Sequence, residues 1–84
     1  MMKRYWFNFD AELLPIGVHN GCGITAYDYE DALRLLKERV FKEVDVPDIK
    51  ELIENVDVSA LDKNHVLPNM GNVFVRGIWF PLGY

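Results

Sequence analysis

Residues 72–84, NVFVRGIWFPLGY, set the tightest limit on how this chain can fold. Chain ends usually fray and collect polar residues. This one carries Phe74, Ile78, Trp79, Phe80, Leu82 and Tyr84, with Arg76 among them. The alternation in VFVRGIWF predicts a strand ended by Pro81. Val73, Val75, Gly77 and Trp79 share one face, and Phe74, Arg76, Ile78 and Phe80 share the other. A strand's backbone needs partners, so the tail must close a sheet with something earlier in the chain.

Two earlier segments can supply that sheet. KRYWFNFD is rich in aromatics, which favour strands, and its period of two places Tyr5, Phe7 and Phe9 on the core face. Arg4, Trp6, Asn8 and Asp10 fall on the other face. AELLPIGVHNG then breaks the pattern with Pro15, Gly17 and the turn-forming pair Asn20–Gly21. CGITAY follows as a second strand with Cys22, Ile24 and Ala26 inward, and an antiparallel hairpin is the simplest pairing.

YDYEDALRLLKERVFKE reads as a helix. Asp28 suits its N-cap, and Glu30 and Asp31 suit the positive end of its dipole. Tyr29, Ala32, Leu33, Leu36 and Val40 form a buried stripe, and Glu30, Arg34, Glu38 and Lys42 form a solvated ladder. VPDIKELIENV predicts a second, shorter helix, with Pro47 in its first turn and Ile49, Leu52, Ile53 and Val56 as its stripe. Ser59 and Asp62 fit a cap for one further turn, and Pro68, Asn69 and Gly71 mark a turn before the tail. The order β-β-α-α-β predicts one α+β domain over residues 1–84, a three-stranded antiparallel sheet with both helices on one face. The uncovered face would then hold Arg4, Trp6, Asn8, Thr25, Tyr27, Phe74, Arg76 and Ile78. Arg76 would lie flat against Trp6 or Tyr27 with its head in water.

Composition narrows the function. The net charge of −4 and pI near 5.0 disfavour phosphate-bearing partners, which attract cations, so neither nucleic acid nor membrane is expected. Cys22 is the only cysteine, which excludes an intrachain disulfide. The N-terminal apolar run soon meets Asp10 and Glu12, unlike a signal peptide, and a cytoplasmic protein is expected. His19, Cys22 and His65 lack the paired spacing of a zinc site, and Cys22 on a core face is a poor nucleophile for a His65 base. Asp10, Glu12 and Asp28 show no spacing that singles out an acid–base pair. Gly17, Gly21 and Gly23 lack the spacing and the following Lys-Ser/Thr of a phosphate loop. No catalytic, cofactor-binding or metal residues are therefore assigned, and no cofactor is expected.

Residues 43–62 stand out instead. Glu43, Asp45, Asp48, Glu51, Glu54, Asp57 and Asp62 oppose Lys50 alone, a local charge of −6 that leaves the rest of the chain slightly cationic. Charge separation of this kind steers a basic partner.

The run VDVSALDKNHVLPNMGN followed by RGIWFP, with GITAYDYEDAL earlier, resembles a group of short bacterial proteins to which no activity is attached. The resemblance covers most of the chain; it implies a bacterial protein and transfers no site residues. The expected function is a protein-interaction module, an inhibitor or immunity-type protein masking a basic partner such as a nuclease toxin. Its expected partner-binding residues are Asp48, Glu51 and Glu54 on the acidic segment and Trp6, Tyr27, Phe74 and Arg76 on the open sheet face, where a second copy or another protein would dock. The alternative for that face is cover by the 10–21 loop or by residues 82–84. The alternative function is a small-molecule site between the 10–21 loop and the 63–71 turn, with His19 and His65 as its polar groups.

Overall fold

The computed structural model describes residues 1–15, 17–64 and 66–84. Their fold is α+β, with strands β1 (Lys3–Phe9), β2 (Cys22–Ala26), β3 (Ile49–Glu54) and β4 (Gly77–Phe80) and one helix, α1 (Tyr29–Arg39). The sheet is antiparallel, in the order β3-β1-β2-β4.

β1 and β2 pair as the alternation demands. Tyr5 lies opposite Ile24 and Phe7 opposite Cys22, and these side chains share a core with Phe9, Ala32, Leu35, Leu36, Val40 and Phe41. Asp28 caps α1, its carboxylate accepting from the Asp31 N–H at 2.8 Å. The inward face of α1 is Ala32, Leu35 and Leu36, with Tyr29 and Leu33 only partly buried. Leu35 belongs to the stripe although the expected set left it out.

The expected second helix is the strand β3, so among the described residues the sheet has four strands and there is one α-helix. Ile49, Leu52 and Ile53 satisfy a helical stripe, but about three turns of helix are marginal alone. The same residues in a strand give β1 a second ladder, from Tyr5 opposite Glu54 to Phe9 opposite Ile49. A bulge at Asn8/Phe9 shifts the register, which explains why β3 lacks a clean period of two. Asn55, at φ 53°, ends the strand in a left-handed conformation that asparagine tolerates.

The tail is a shorter strand than expected; Ile78 and Trp79 lie on the faces opposite to those expected, while Phe80 keeps its own. Ile78 sits opposite Ile24 and packs toward the helix side. Trp79 and Phe80 join Trp6 on the other side. A bulge between Gly23 and Ile24 leaves Trp79 as the extra residue and puts it on the same side as Phe80, while a one-residue slip ahead of it exchanges the face of Ile78. Gly23 makes the packing possible, because a Cβ there would run into the Trp79 ring.

The second sheet face is therefore closed. Trp6, Trp79, Phe80, Val56 and Val66 form a second core, flanked by Val58, Leu61, Met70 and Val73. The Trp6 ring lies 5.9 Å from Trp79 and 5.6 Å from Phe80. Residues 56–64 and 66–73 supply the cover, and among the described residues its regular structure is the short 3-10 turns Val58–Ala60 and Leu67–Asn69. The layers run helix, sheet, irregular segment. Gly21, at the end of the 10–21 loop, adds to this cover, packed so closely on the Trp6 ring that a Cβ there would strike it.

Candidate functional site

The residues expected to share one open face are separated. Trp6 is 4% exposed inside the second core, so its expected surface position is corrected: with Val56, Val66 and their neighbours covering that face, its large apolar ring is buried there. Tyr27 and Phe74 do stay exposed. Phe74 rides a turn in which its N–H donates to Asn72 Oδ1 at 2.9 Å. Val75, expected beneath the helices, is exposed as well, since Val73–Arg76 lie outside β4.

Arg76 is an internal tie. Its Nε donates to Asp31 Oδ2 at 2.9 Å and its Nη2 to Asp31 Oδ1 at 2.6 Å, a two-pronged fork. Its guanidinium also lies 5.7 Å from the centre of the Tyr27 ring, the aromatic contact expected of it. The Asp31 side chain is 6% exposed and takes further hydrogen bonds from the Tyr27 N–H and from Arg34. The Arg76 fork first, then the other donors, hold its carboxyl down at about 2 against the usual 3.8, despite burial. Asp31 as the mate of Arg76 was the residue missed from sequence. The only sequence signal was the four-residue spacing to Leu35, which the expected stripe left out; Leu35 is buried, so Asp31 lies on the inward side of the same helix.

The acidic segment is where a surface remains. Asp48, Glu51 and Glu54 are exposed, as are Glu43, Asp45, Asp57 and Asp62. Glu51 and Glu54 lie on β3, and Asp48 immediately precedes it; the strand forms one edge of the sheet. Glu51 accepts from Asn8 Nδ2 at 3.1 Å. Asp57 holds the turn after β3: the hydroxyl and N–H of Ser59 both donate to it, which lowers its pKa. Leu52 and Ile53, between the two glutamates, are 37% and 38% exposed.

One hollow adjoins this strand and another lies apart from it. A groove of about 440 Å³ is lined by Asn8, Phe9, His19, Lys50 and Glu51. A smaller one, of about 260 Å³, is lined by Gly17, Asn20, Asn69, Phe80, Pro81 and Leu82, and so lies between the 10–21 loop and the 63–71 turn. His19 faces the first and not the second. His65 lies outside the described residues, and with it the alternative small-molecule site that would join it to His19. Cys22 is fully buried and burial pushes its thiol up to about 12, so it is held as the thiol and not as the nucleophilic thiolate. Among the described residues, no three His, Cys, Asp or Glu side chains gather as a metal site, and no helix is long and apolar enough to cross a membrane. Comparison of the chain with protein families, with curated proteins and with solved structures finds no match in any of the three.

Proposed function

We propose that this protein is an interaction module of the inhibitor or immunity type, which masks a basic protein partner. The observation that carries the reading is the placement of Asp48, Glu51 and Glu54 on and beside an exposed sheet edge, with four more carboxylates on the flanking chain. One sign of charge gathered on one side raises the association rate with a cationic surface and makes the complex sensitive to salt. Carboxylates on an edge also deter aggregation, and that role alone would leave binding unaffected by their removal. The test is recovery of a basic protein at low salt, followed by titration of the purified pair. Affinity should fall as salt rises, and Glu51→Lys with Glu54→Lys should weaken it at least about tenfold. An affinity indifferent to both changes would refute masking through this edge.

A second reading rests on the 260 Å³ hollow. Its apolar wall of Phe80, Pro81 and Leu82 beside the amide side chains of Asn20 and Asn69 suits a small, mostly apolar molecule with one or two polar groups. Leu82→Trp would fill the space and abolish such binding while leaving partner capture at β3 intact.

A further inference from the structure

A four-stranded open sheet has two edges, and here they differ. At β4 the Gly71 N–H donates to the Trp79 carbonyl at 2.7 Å, so the incoming chain already occupies part of that edge. At the other end of the sheet, β3 has β1 on one side and no described strand on the other. Every second residue of such a strand turns its N–H and C=O outward, where they can bind another strand. The backbone edge is therefore a binding feature separate from the charges it carries.

The side chains along that edge have an order. Residues 51–54 read Glu51, Leu52, Ile53, Glu54: acid, apolar, apolar, acid. The sheet pleat sets Glu51 and Ile53 on one face, opposite Asn8 and Trp6, and Leu52 and Glu54 on the other, opposite Phe7 and Tyr5. Each face thus offers one carboxylate and one half-exposed aliphatic group. A second copy of β3 laid antiparallel along this edge would keep Glu51 and Ile53 on one face, so Glu51 would meet another Glu51 or an Ile53, and neither is a cation. Lys50 at the N-terminal end rejects a cation opposite itself and so helps to fix the register.

We infer that β3 is the acceptor for strand addition by an extended segment of a basic protein, reading basic, apolar, apolar, basic. Main-chain hydrogen bonds supply the attachment, and the two cations opposite Glu51 and Glu54 and the two apolar residues opposite Leu52 and Ile53 supply the choice. This deepens the masking function proposed above and rests on it, but it commits to a mode of binding that masking alone does not require.

The test uses the whole protein and synthetic peptides. The probe is Thr-Lys-Val-Val-Lys-Thr at low ionic strength, up to millimolar concentration. Two analogues carry backbone N-methyl groups at alternate residues, one in each frame. Strand addition predicts slowed amide exchange at alternate residues of 49–54 with the parent peptide. One N-methylated frame should bind at least about tenfold more weakly than the other, because only alternate amides face the edge. Glu51→Lys with Glu54→Lys should exchange the preference for Thr-Glu-Val-Val-Glu-Thr. If both N-methylated frames bind like the parent, capture is electrostatic without strand pairing: the inference falls and masking stands. If the peptide gives no protection at millimolar concentration while a basic partner still binds, the inference falls again. Failure of peptide and basic partner alike removes masking too.

Discussion

Replacing Asp31 by asparagine tests the most consequential contact in the molecule. The carboxylate is 6% exposed, accepts two bonds from Arg76 at 2.9 and 2.6 Å and one from Arg34 at 3.2 Å, and takes the Tyr27 N–H at 3.1 Å. Its pKa near 2 lies below the usual 3.8, a difference worth about 2 kcal/mol of folding free energy. Arg76 is 34% exposed and Arg34 60%, so solvent screens the group and about 1–2 kcal/mol is the fair figure. Because the folded value is the lower one, this stabilisation is complete above about pH 4 and is lost as pH falls toward 2. Asp31→Asn removes the charge, keeps the shape, and turns an amide NH₂ toward a guanidinium that has only donors. At pH 7 the variant should lose about 1–3 kcal/mol, or on the order of 10 °C in Tm for a domain of this size. Urea unfolding read by the fluorescence of buried Trp6 and Trp79 gives the measurement, at pH 7 and again at pH 2.5. The gap between wild type and variant should shrink at the lower pH. A gap under about 0.5 kcal/mol at pH 7, within the ordinary surface range, or one that stays constant with pH, would refute this account of the bridge.

Arg76→Glu sets a carboxylate against Asp31 and should lower the urea midpoint at pH 7 more than Asp31→Asn does; an unchanged midpoint would show that Arg76 does not tie residues 72–76 to the helix. Gly23→Ala pushes a methyl into the Trp79 ring, so a loss of about 1–3 kcal/mol with red-shifted tryptophan emission is expected, and a silent substitution would contradict the packing of the second core. Cys22, buried and held as the thiol, should react with an aromatic disulfide reagent only at the rate of unfolding; rapid reaction in native buffer would contradict its placement.

What the sequence made legible follows from how many structures each pattern can serve. KRYWFNF has three aromatics at a period of two, and no helix would gather Tyr5, Phe7 and Phe9 on one side, so β1 and its core face could be read directly. The same holds for Asp28 and α1. Residues 49–56 were ambiguous because Ile49, Leu52, Ile53 and Val56 suit a helical stripe, while the strand they form carries a bulge that hides its alternation. What decides between the two is the open edge of β1, a tertiary fact that a local window does not contain. The acidic surface was legible as charge, since exposed carboxylates need no register. Its arrangement as an edge was not.

Arg76 shows the cost of a one-residue error. The sheet alternation that assigned it to an open face also assigned Trp79 to the helix side, and both assignments assumed that the strand runs unbroken from Val73 to Phe80. The strand begins only at Gly77, whose φ of 143° marks where the chain turns into it. Ahead of that point the chain has left the β ladder, and Arg76 reaches the helix instead. Its fork to Asp31 holds the segment that closes the second core, while Thr25 Oγ1 grips the same segment through the Val73 carbonyl at 2.5 Å. The two sheet faces are thus covered by different means, one by a helix and one by irregular chain pinned at both Thr25 and Asp31. With both faces taken and β4 partly occupied by Gly71, the backbone of β3 is the side of the sheet left to an incoming strand. The strand addition proposed above would therefore dock at the acidic edge, across the sheet from the aromatic tail.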